Sequence, residues 1–146
     1  IQMPRIVDSM TFTDYEHRSE IAFTPGDHGY RIHLSTQIPK ILRMKLPDIM
    51  ETFLLRNKIQ LPQVKHWIVH PGGIKILDYV EQALELDEDE LRHARAVLSE
   101  YGNMSSATLL FVLDRHLQEE TPEPGEYGIM IGFGPGLTIE LCLVQW

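Results

Sequence analysis

Apolar residues recur along the first part of the chain with two periods, which predict strands and then a helix. β-Branched, aromatic and polar residues mix over 5–13 and again over 30–34, so each run predicts a strand. Pro, Asp and two Gly cluster over 24–29, where a turn or loop is expected. Over 39–57 the apolar side chains fall at helical spacing, and Pro47 is expected to kink or restart that helix.

The middle of the chain predicts one more strand and a series of helices. The apolar run 65–69 has the length of a strand and is stopped by Pro71-Gly72-Gly73. Apolar residues at steps of three or four then predict a helix over 74–84. Asp87 and Glu90 have the spacing of a capping box, so a further helix is expected to begin there and to end at Gly102.

The last part of the chain predicts a buried helix and a closing hairpin. The segment 105–117 is apolar around most of its circumference, which favours a largely buried, central helix. Two β-rich runs, 127–133 and 137–144, flank Gly134-Pro135-Gly136 and predict an antiparallel pair. The predicted order β-β-α-β-α-α-α-β-β indicates an α/β fold in which a sheet is layered with helices.

Composition narrows the class of protein. With 146 residues and 43% apolar content, the chain is expected to form one domain over 1–146 with a substantial core. A net charge of −8 without a basic patch argues against nucleic acid as a partner, and the short apolar runs argue against a membrane span. The single cysteine, Cys142, fits a reducing, cytoplasmic setting. Because the chain opens on Ile1 and not on Met, an internal cut is expected there.

His70 is the first candidate for chemistry. It follows an apolar strand and precedes two glycines and a helix, which places it at the carboxyl end of a strand, where α/β proteins bind ligands. Gly72 and Gly73 allow a substrate or another backbone to approach closely. The alternative interpretation is that His70 merely ends its strand and the glycines merely serve the turn.

Asn103 is the second candidate, and its local pattern is equally open. It stands between Gly102 and the helix that begins near Ser105, a junction where asparagine often caps a helix. An asparagine amide at a helix start can also donate a hydrogen bond to a developing oxyanion, and a neighbouring imidazole can do the same or transfer a proton. His70 is the candidate partner.

The remaining candidates favour structural roles. Gly134-Pro135-Gly136 lacks the spacing of a phosphate loop and is interpreted as a tight turn that shapes a cavity wall. Cys142 is expected to be a packed or edge thiol. No other histidine has the spacing of a zinc site, and all are expected to be solvated: His17, His28, His33, His66, His93 and His116.

Three segments together resemble the type III polyketide synthases, the chalcone and stilbene synthase family. They are WIVHPGG at 67–73, YGNMSS at 101–106 and GFGPGLTIE at 132–140, and the similarity runs from about 65 to 146. The resemblance implies the C-terminal half of a thiolase-like layered fold. It also implies a Cys-His-Asn triad, in which His70 is the histidine and Asn103 the asparagine. The family's cysteine lies in the amino-terminal half, and Cys142 does not match it.

The resemblance further implies the substrates and the walls of the site. Substrates are an acyl-CoA starter and malonyl-CoA, joined by decarboxylative Claisen condensation, with no cofactor beyond these coenzyme A thioesters. Partners are the chain's own amino-terminal half and, in the full-length protein, a second copy in a homodimer. Ile32 takes the place where the family often has a gatekeeping phenylalanine. By resemblance, Ser105 and Gly134-Pro135-Gly136 line the cyclisation cavity, while Gly72, Gly73 and Lys75 border the coenzyme A tunnel.

Two alternatives stay open from the sequence. One is half of a related ketoacyl synthase, which shares the His-Asn pair but condenses two thioesters only once. The other is a non-catalytic module that completes a site and an interface, because His and Asn polarise a carbonyl but form no thioester. In either case the isolated chain is expected to be inactive, and to self-associate or be marginally stable through its exposed apolar surface.

Overall fold

The structure is a computed structural model that describes residues 3–146, and it describes residue 88 by its backbone alone. Ile1 therefore lies outside the described residues. The strands are β1 (Arg5–Thr13), β2 (Ile21–Gly26), β3 (Gly29–Leu34), β4 (Val64–Val69), β5 (Tyr127–Gly134) and β6 (Thr138–Gln145). The helices are α1 (Ile38–Arg56), α2 (Ile74–Leu84), α3 (Arg92–Tyr101) and α4 (Ser106–Glu119). Within residues 3–146, none of the helices is long and apolar enough to cross a membrane.

Four strands form a mixed sheet in the order β1-β6-β5-β4. β4 runs parallel to β5, whereas the predicted β5–β6 pair and the β1–β6 pair are antiparallel. Three successive residues of β4, Trp67, Ile68 and Val69, are all buried. Since neighbouring side chains of a strand point to opposite faces, β4 is covered on both faces. α3 and α4 pack on each other and against β4, and α1 packs along α2.

A separate hairpin is formed by β2 and β3, and the turn expected within 24–29 joins them. Its predicted extent was wrong, because Thr24, Pro25 and Gly26 belong to β2 and the turn has only two residues. Gly29 has a φ of +121°, a backbone conformation that glycine adopts without steric cost. Proline is tolerated in β2 because a two-stranded ribbon leaves one edge of each strand without a hydrogen-bonded neighbour.

α1 is one continuous helix with Pro47 inside it, so the expected restart at the proline was wrong. The loss of one backbone hydrogen bond is offset by burial on both sides of it. Leu46 and Phe53 are fully buried, and Met50 is nearly so. Met44, which has the spacing of the apolar face, is 66% exposed instead.

α4 is buried on one face only, so the prediction of a largely buried helix was wrong. Its buried residues are Thr108, Val112 and His116. Leu110 is 62% exposed, and the Phe111 ring packs on Tyr101 at an interplanar angle of 59° and a ring-centroid distance of 5.2 Å. The prediction rested on apolar residues around most of the helix. In the structure α3 and β4 cover only one side of α4, so the apolar residues on the other side stay exposed.

The predicted signals at the two ends of α3 are confirmed. The Asp87 N–H donates to Glu90 Oε2 at 2.7 Å, and a tighter helical turn over Glu88–Leu91 leads into α3. Gly102 ends α3 with a φ of +71°. This end of α3 leads directly into the segment that carries Asn103.

Candidate active site

β4 and the turn after it position His70. The His70 N–H donates to the Ile131 carbonyl at 2.8 Å, which continues the parallel pairing one residue beyond β4. The chain then turns sharply, and the Gly72 N–H donates back to the His70 carbonyl at 3.0 Å. The side chain is 8% exposed. Within residues 3–146, no protein group hydrogen-bonds to its ring, which leaves the imidazole nitrogens available to a ligand.

Asn103 is held at both ends of its side-chain amide. Its Nδ2 donates to the Gly72 carbonyl at 3.1 Å, and its Oδ1 accepts from the Ser105 N–H at 2.8 Å. The second contact lies just ahead of α4, whose N-cap residue is Ser105 and which has no side-chain cap, so the interpretation of Asn103 as a helix cap was wrong. The first contact joins Asn103 to the turn after His70 across 31 positions of sequence. Asn103 therefore fixes two loops against each other.

One cavity of about 360 Å³ brings most of the predicted site residues together. Its walls come from the β2–β3 hairpin, the start of α1, the turn after β4 and the start of α4. The apolar side chains Phe23, Ile32 and Leu34 on the hairpin wall are 50–56% exposed, so this side is open. The predicted site residues that line the cavity are Ile32, His70, Gly72, Asn103, Ser105, Gly134 and Pro135.

Three predicted residues do not line this cavity: Gly73, Lys75 and Gly136. Lys75 lies exposed on the first turn of α2. Gly136 instead donates its N–H to the Ile21 carbonyl at 2.7 Å, which ties the β5–β6 turn to the hairpin. Its φ of +79° is in the left-handed region that favours glycine.

The electrostatics of the cavity favour an anion. Burial lowers the pKa of His70, so the neutral imidazole, which has one N–H to donate, predominates near neutral pH. α4 begins directly after Ser105, and the positive end of its dipole lies at the cavity. A negative charge that developed near His70 and Asn103 would meet donors and a helix dipole.

The nucleophile of a condensing reaction is absent from this cavity. Cys142 lies on β6 opposite Met130 and is not among the cavity-lining residues. Burial raises the pKa of its thiol, which disfavours the thiolate. Cys142 is therefore a packed strand residue, as expected.

Sequence reasoning missed some of the residues that shape the site. The hydroxyl of Thr108 accepts a hydrogen bond from the Met104 N–H at 2.7 Å and is fully buried, so it fixes the segment that carries Asn103. Phe23 lines the cavity beside Ile32, its cross-strand partner in the hairpin. The sequence did not predict β2, so it could not predict that Phe23 pairs with Ile32. A threonine in the first turn after Asn-Met-Ser-Ser is the only signal that could have pointed to Thr108.

A larger cleft of about 430 Å³ lies elsewhere, between α1 and the end of α2. Its lining is mostly apolar and includes Met50, Leu54 and Ile59. Glu51, Gln60 and Glu85 are its only polar residues. Because it has no histidine, cysteine or hydroxyl group, the smaller cavity at His70 is the better candidate for chemistry.

Two histidines that were expected to be solvated are buried, and the side chain of a third, His66, is only 11% exposed. His93 is 3% exposed and His116 is 4% exposed. The physical reason is tertiary: α3 and α4 pack their His93 and His116 faces together, and His66 of β4 lies against His116. His28 and His33, in contrast, are exposed on the hairpin as expected.

The mixed sheet, its packed helices and the cavity at the end of β4 define one half of a thiolase-like fold. Residues 12–146 match the chalcone and stilbene synthase C-terminal domain. The chain belongs to this family, and it is the C-terminal domain of a type III polyketide synthase.

Similar proteins come from bacteria and from a brown alga. The chain is 36% identical over 145 residues to a 3,5-dihydroxyphenylacetyl-CoA synthase of Amycolatopsis orientalis, covering 98% of this chain and 39% of that protein. It is 31% identical over 143 residues to a putative chalcone synthase of Bacillus subtilis, again covering 98% and 39%. These curated relatives are thus more than twice as long as this chain.

Solved structures show the same fold. The 1,3,6,8-tetrahydroxynaphthalene synthase of Streptomyces coelicolor, a bacterial type III polyketide synthase, superposes with a TM-score of 0.91 at 31% identity. The match covers 98% of this chain and 41% of that one. The polyketide synthase PKS-I of Ectocarpus siliculosus superposes with a TM-score of 0.88 at 29% identity, over 97% and 39%.

Proposed function

We propose that this domain supplies the histidine and asparagine of a Cys-His-Asn site that condenses an acyl-CoA starter with malonyl-CoA. The observation that carries the proposal is the shared cavity, which His70 and Asn103 both line although 33 positions separate them in sequence. The amino-terminal half of the full-length protein supplies the cysteine. No cofactor other than the coenzyme A thioesters is required.

The reaction makes two demands that this geometry meets. Loss of CO₂ from the malonyl group leaves the electron pair of the broken bond in an enolate, whose oxygen needs hydrogen-bond donors. The enolate carbon then attacks the cysteine-bound acyl carbonyl, and a second oxyanion forms before the thiolate leaves. The His70 N–H is available to such an oxygen, and Asn103 has a second amide N–H besides the one bonded to Gly72.

His70 also has a task before condensation. An imidazole beside a cysteine takes up the thiol proton, and the resulting ion pair holds a nucleophilic thiolate near neutral pH. Because burial alone lowers the pKa of His70, the imidazolium form depends on the thiolate of the other half. We therefore expect the isolated C-terminal domain to be inactive.

The apolar lining of the cavity suits an extending polyketide chain. Ile21, Phe23, Ile32 and Phe133 are among the cavity-lining residues. Such walls offer apolar surface to a growing polyketide chain, while Ser105 and the Gly134-Pro135 turn set the shape in which it folds. Gly72, Gly73 and Lys75 border the coenzyme A entrance in this proposal, and two copies of the full-length protein form a dimer. A cytoplasmic location stays a prediction.

The test uses the full-length protein with malonyl-CoA and a series of acyl-CoA starters. We expect His70→Ala and Asn103→Ala each to lower kcat for condensation by about 100- to 1000-fold, because each removes an oxyanion donor. His28→Gln, on the exposed hairpin turn, is the matched control and should retain activity. Wild-type activity in the Asn103→Ala protein, with an unchanged melting temperature, would refute its assigned role.

Product mass separates this proposal from the single-condensation alternative. A polyketide synthase adds several two-carbon units to at least one starter before release. If every starter gains only one two-carbon unit, the domain is half of a ketoacyl synthase that condenses two thioesters once. If the full-length protein releases no CO₂ from malonyl-CoA, the non-catalytic alternative gains support.

A further inference from the structure

Three imidazoles meet at the end of α4 that is remote from the cavity. They belong to His66 of β4, His93 of α3 and His116 of α4, and we call them the histidine cluster. The His116 ring lies edgewise against His66 at 5.0 Å and against His93 at 5.2 Å between ring centroids. The indole of Trp146 covers the same site, 4.7 Å from the His66 ring and 5.7 Å from the His116 ring.

His116 is the unusual member of the histidine cluster. Both of its ring nitrogens are buried without a hydrogen-bond partner. Leaving buried polar atoms unpaired costs free energy, so such an arrangement calls for a physical reason. The mechanism proposed above makes no use of it, since the cavity at His70 lies at the other end of α4.

Among the side chains that the structure describes, the charged groups around His116 offer it no counter-ion. Glu120 is already paired with Arg92 and with His93 Nε2, and Glu126 Oε2 is bonded to His66 Nε2 at 2.9 Å. Glu119 lies 3.4 Å from His93 Nδ1 and 2.8 Å from Arg115. A proton on His116 would therefore place a positive charge beside two imidazoles and the Arg92 guanidinium, inside an apolar packing contact.

A metal ion is the less suitable ligand for this site. Within residues 3–146, the only metal-type group whose ligand atoms lie within 4.8 Å of one another is Asp14, Glu16 and His17. Asp14 Oδ2 there is occupied by Lys45 at 2.7 Å. The nitrogens of the histidine cluster are too far apart to bind one ion as they stand, whereas a proton needs no such convergence.

We propose that the histidine cluster is an acid-sensitive latch, which holds the end of α4 on β4 when neutral and releases it on taking up a proton. The released part comprises the last turns of α4 and the segment around Trp146. The sheet and α1 stay folded, because the strand pairings and the packing of α1 on α2 do not involve His116.

The direction of the pH effect follows from burial. Desolvation first, and then the nearby His66, His93 and Arg92, lower the pKa of His116 from 6.5 to about 4. Burial also lowers the pKa of His93. The unlatched state thus binds more protons than the latched one between these two values, so the latch is fully stable above pH 6.5 and weakens as the pH falls toward 4.

Hydrogen exchange of the full-length protein tests this without any turnover. Between pH 7.5 and pH 5.0 we expect the local opening constant of the α4 end to rise about 30-fold, after correction for intrinsic exchange rates. A peptide from α1 serves as the internal reference and should change far less. An equal rise in both segments would overturn the proposal.

Two variants and two further readouts keep the test decisive. His116→Met fills the same space without a titratable group and should reduce the pH effect to less than about 3-fold. His28→Gln, which removes an exposed histidine, should keep the full effect. Should His116→Met fail to fold, the NMR titration of His116 in the wild type decides: a midpoint well below 6.5 supports the latch, and one near 6.5 refutes it. Protection of the α4 end by Zn²⁺ at pH 7.5 that is lost in His116→Met would identify a metal site instead.

Discussion

The two ends of the β4–α4 pair carry histidines in opposite circumstances. At one end, His70 and Asn103 border an open cavity. The Asn103 side chain there is hydrogen-bonded through its amide oxygen and through one of its two amide N–H groups. At the other end, about 15 Å away along α4, His116 is sealed and its ring has no hydrogen-bond partner. Burial lowers the pKa of both histidines. The two histidines therefore share a lowered pKa but differ in access: a ligand can reach the ring of His70, whereas the ring of His116 contacts only its packing neighbours.

The largest expected effect separates the two ends by activity. In the full-length protein, His70→Ala combined with Asn103→Ala should cost about as much as the worse single change, roughly 100- to 1000-fold in kcat, because groups that serve one oxyanion act as a unit. His116→Met should stay within about 2-fold of wild type at pH 7.5. Losses that multiply in the double variant would show that His70 and Asn103 act on different steps.

An intermediate effect is expected at Gly128, where the backbone of β5 meets Trp146. A Cβ at Gly128 would lie 2.7 Å from Trp146 Cζ3 and 3.1 Å from the His66 Cβ. We expect Gly128→Ala to lower the free energy of unfolding by about 1–3 kcal/mol, since the rigid indole must move. Gly132→Ala on the same strand is the matched control, because its Cβ would meet only Glu140 at 3.7 Å. Urea unfolding at pH 7.5 measures both, and equal stabilities would show that the indole is free to shift.

The smallest expected effect lies at the cavity end of α4. Thr108→Val keeps the shape but leaves the Met104 N–H without its partner, which should cost about 1 kcal/mol of stability. Thr52→Val is the control, because the exposed Thr52 hydroxyl only donates to the Asp48 carbonyl within α1. Thermal unfolding compares the two variants. A loss at Thr52 as large as that at Thr108 would contradict the role of Thr108 at the start of α4.

The same contrast explains how much could be predicted from the sequence. Local period and turn residues predicted four helices and five of the six strands, since these signals lie within a few residues of each other. β2 was missed because Pro25 and Gly26 signal a turn, whereas a two-stranded ribbon accommodates both. His70 and Asn103 were each ambiguous locally, and their partnership was one hypothesis among others until the family resemblance favoured it; the Gly72 contact then joined Asn103 to the turn after His70.

The histidine cluster shows what local pattern leaves out. His116 has no zinc-like spacing to other histidines, and it was therefore predicted to be solvated. It is buried because His66 and Trp146, 50 and 30 positions away, cover it. Contacts at such sequence separation depend on the parallel pairing of β4 with β5, which no period of 2 or 3.6 residues encodes.

The position of β1 at the edge of the sheet bears on how the domain is made. β1 pairs only with β6, from Thr13 with Thr138 to Arg5 with Gln145. A ribosome that adds about 5–20 residues per second needs roughly 6–25 s to pass from one strand to the other. Throughout that interval β1 has emerged or is emerging while its partner does not yet exist. An unpaired strand edge of this kind is exposed to association with other nascent chains. We therefore expect the fraction of nascent chains with a chaperone bound at β1 to be highest in the seconds before β6 leaves the exit tunnel.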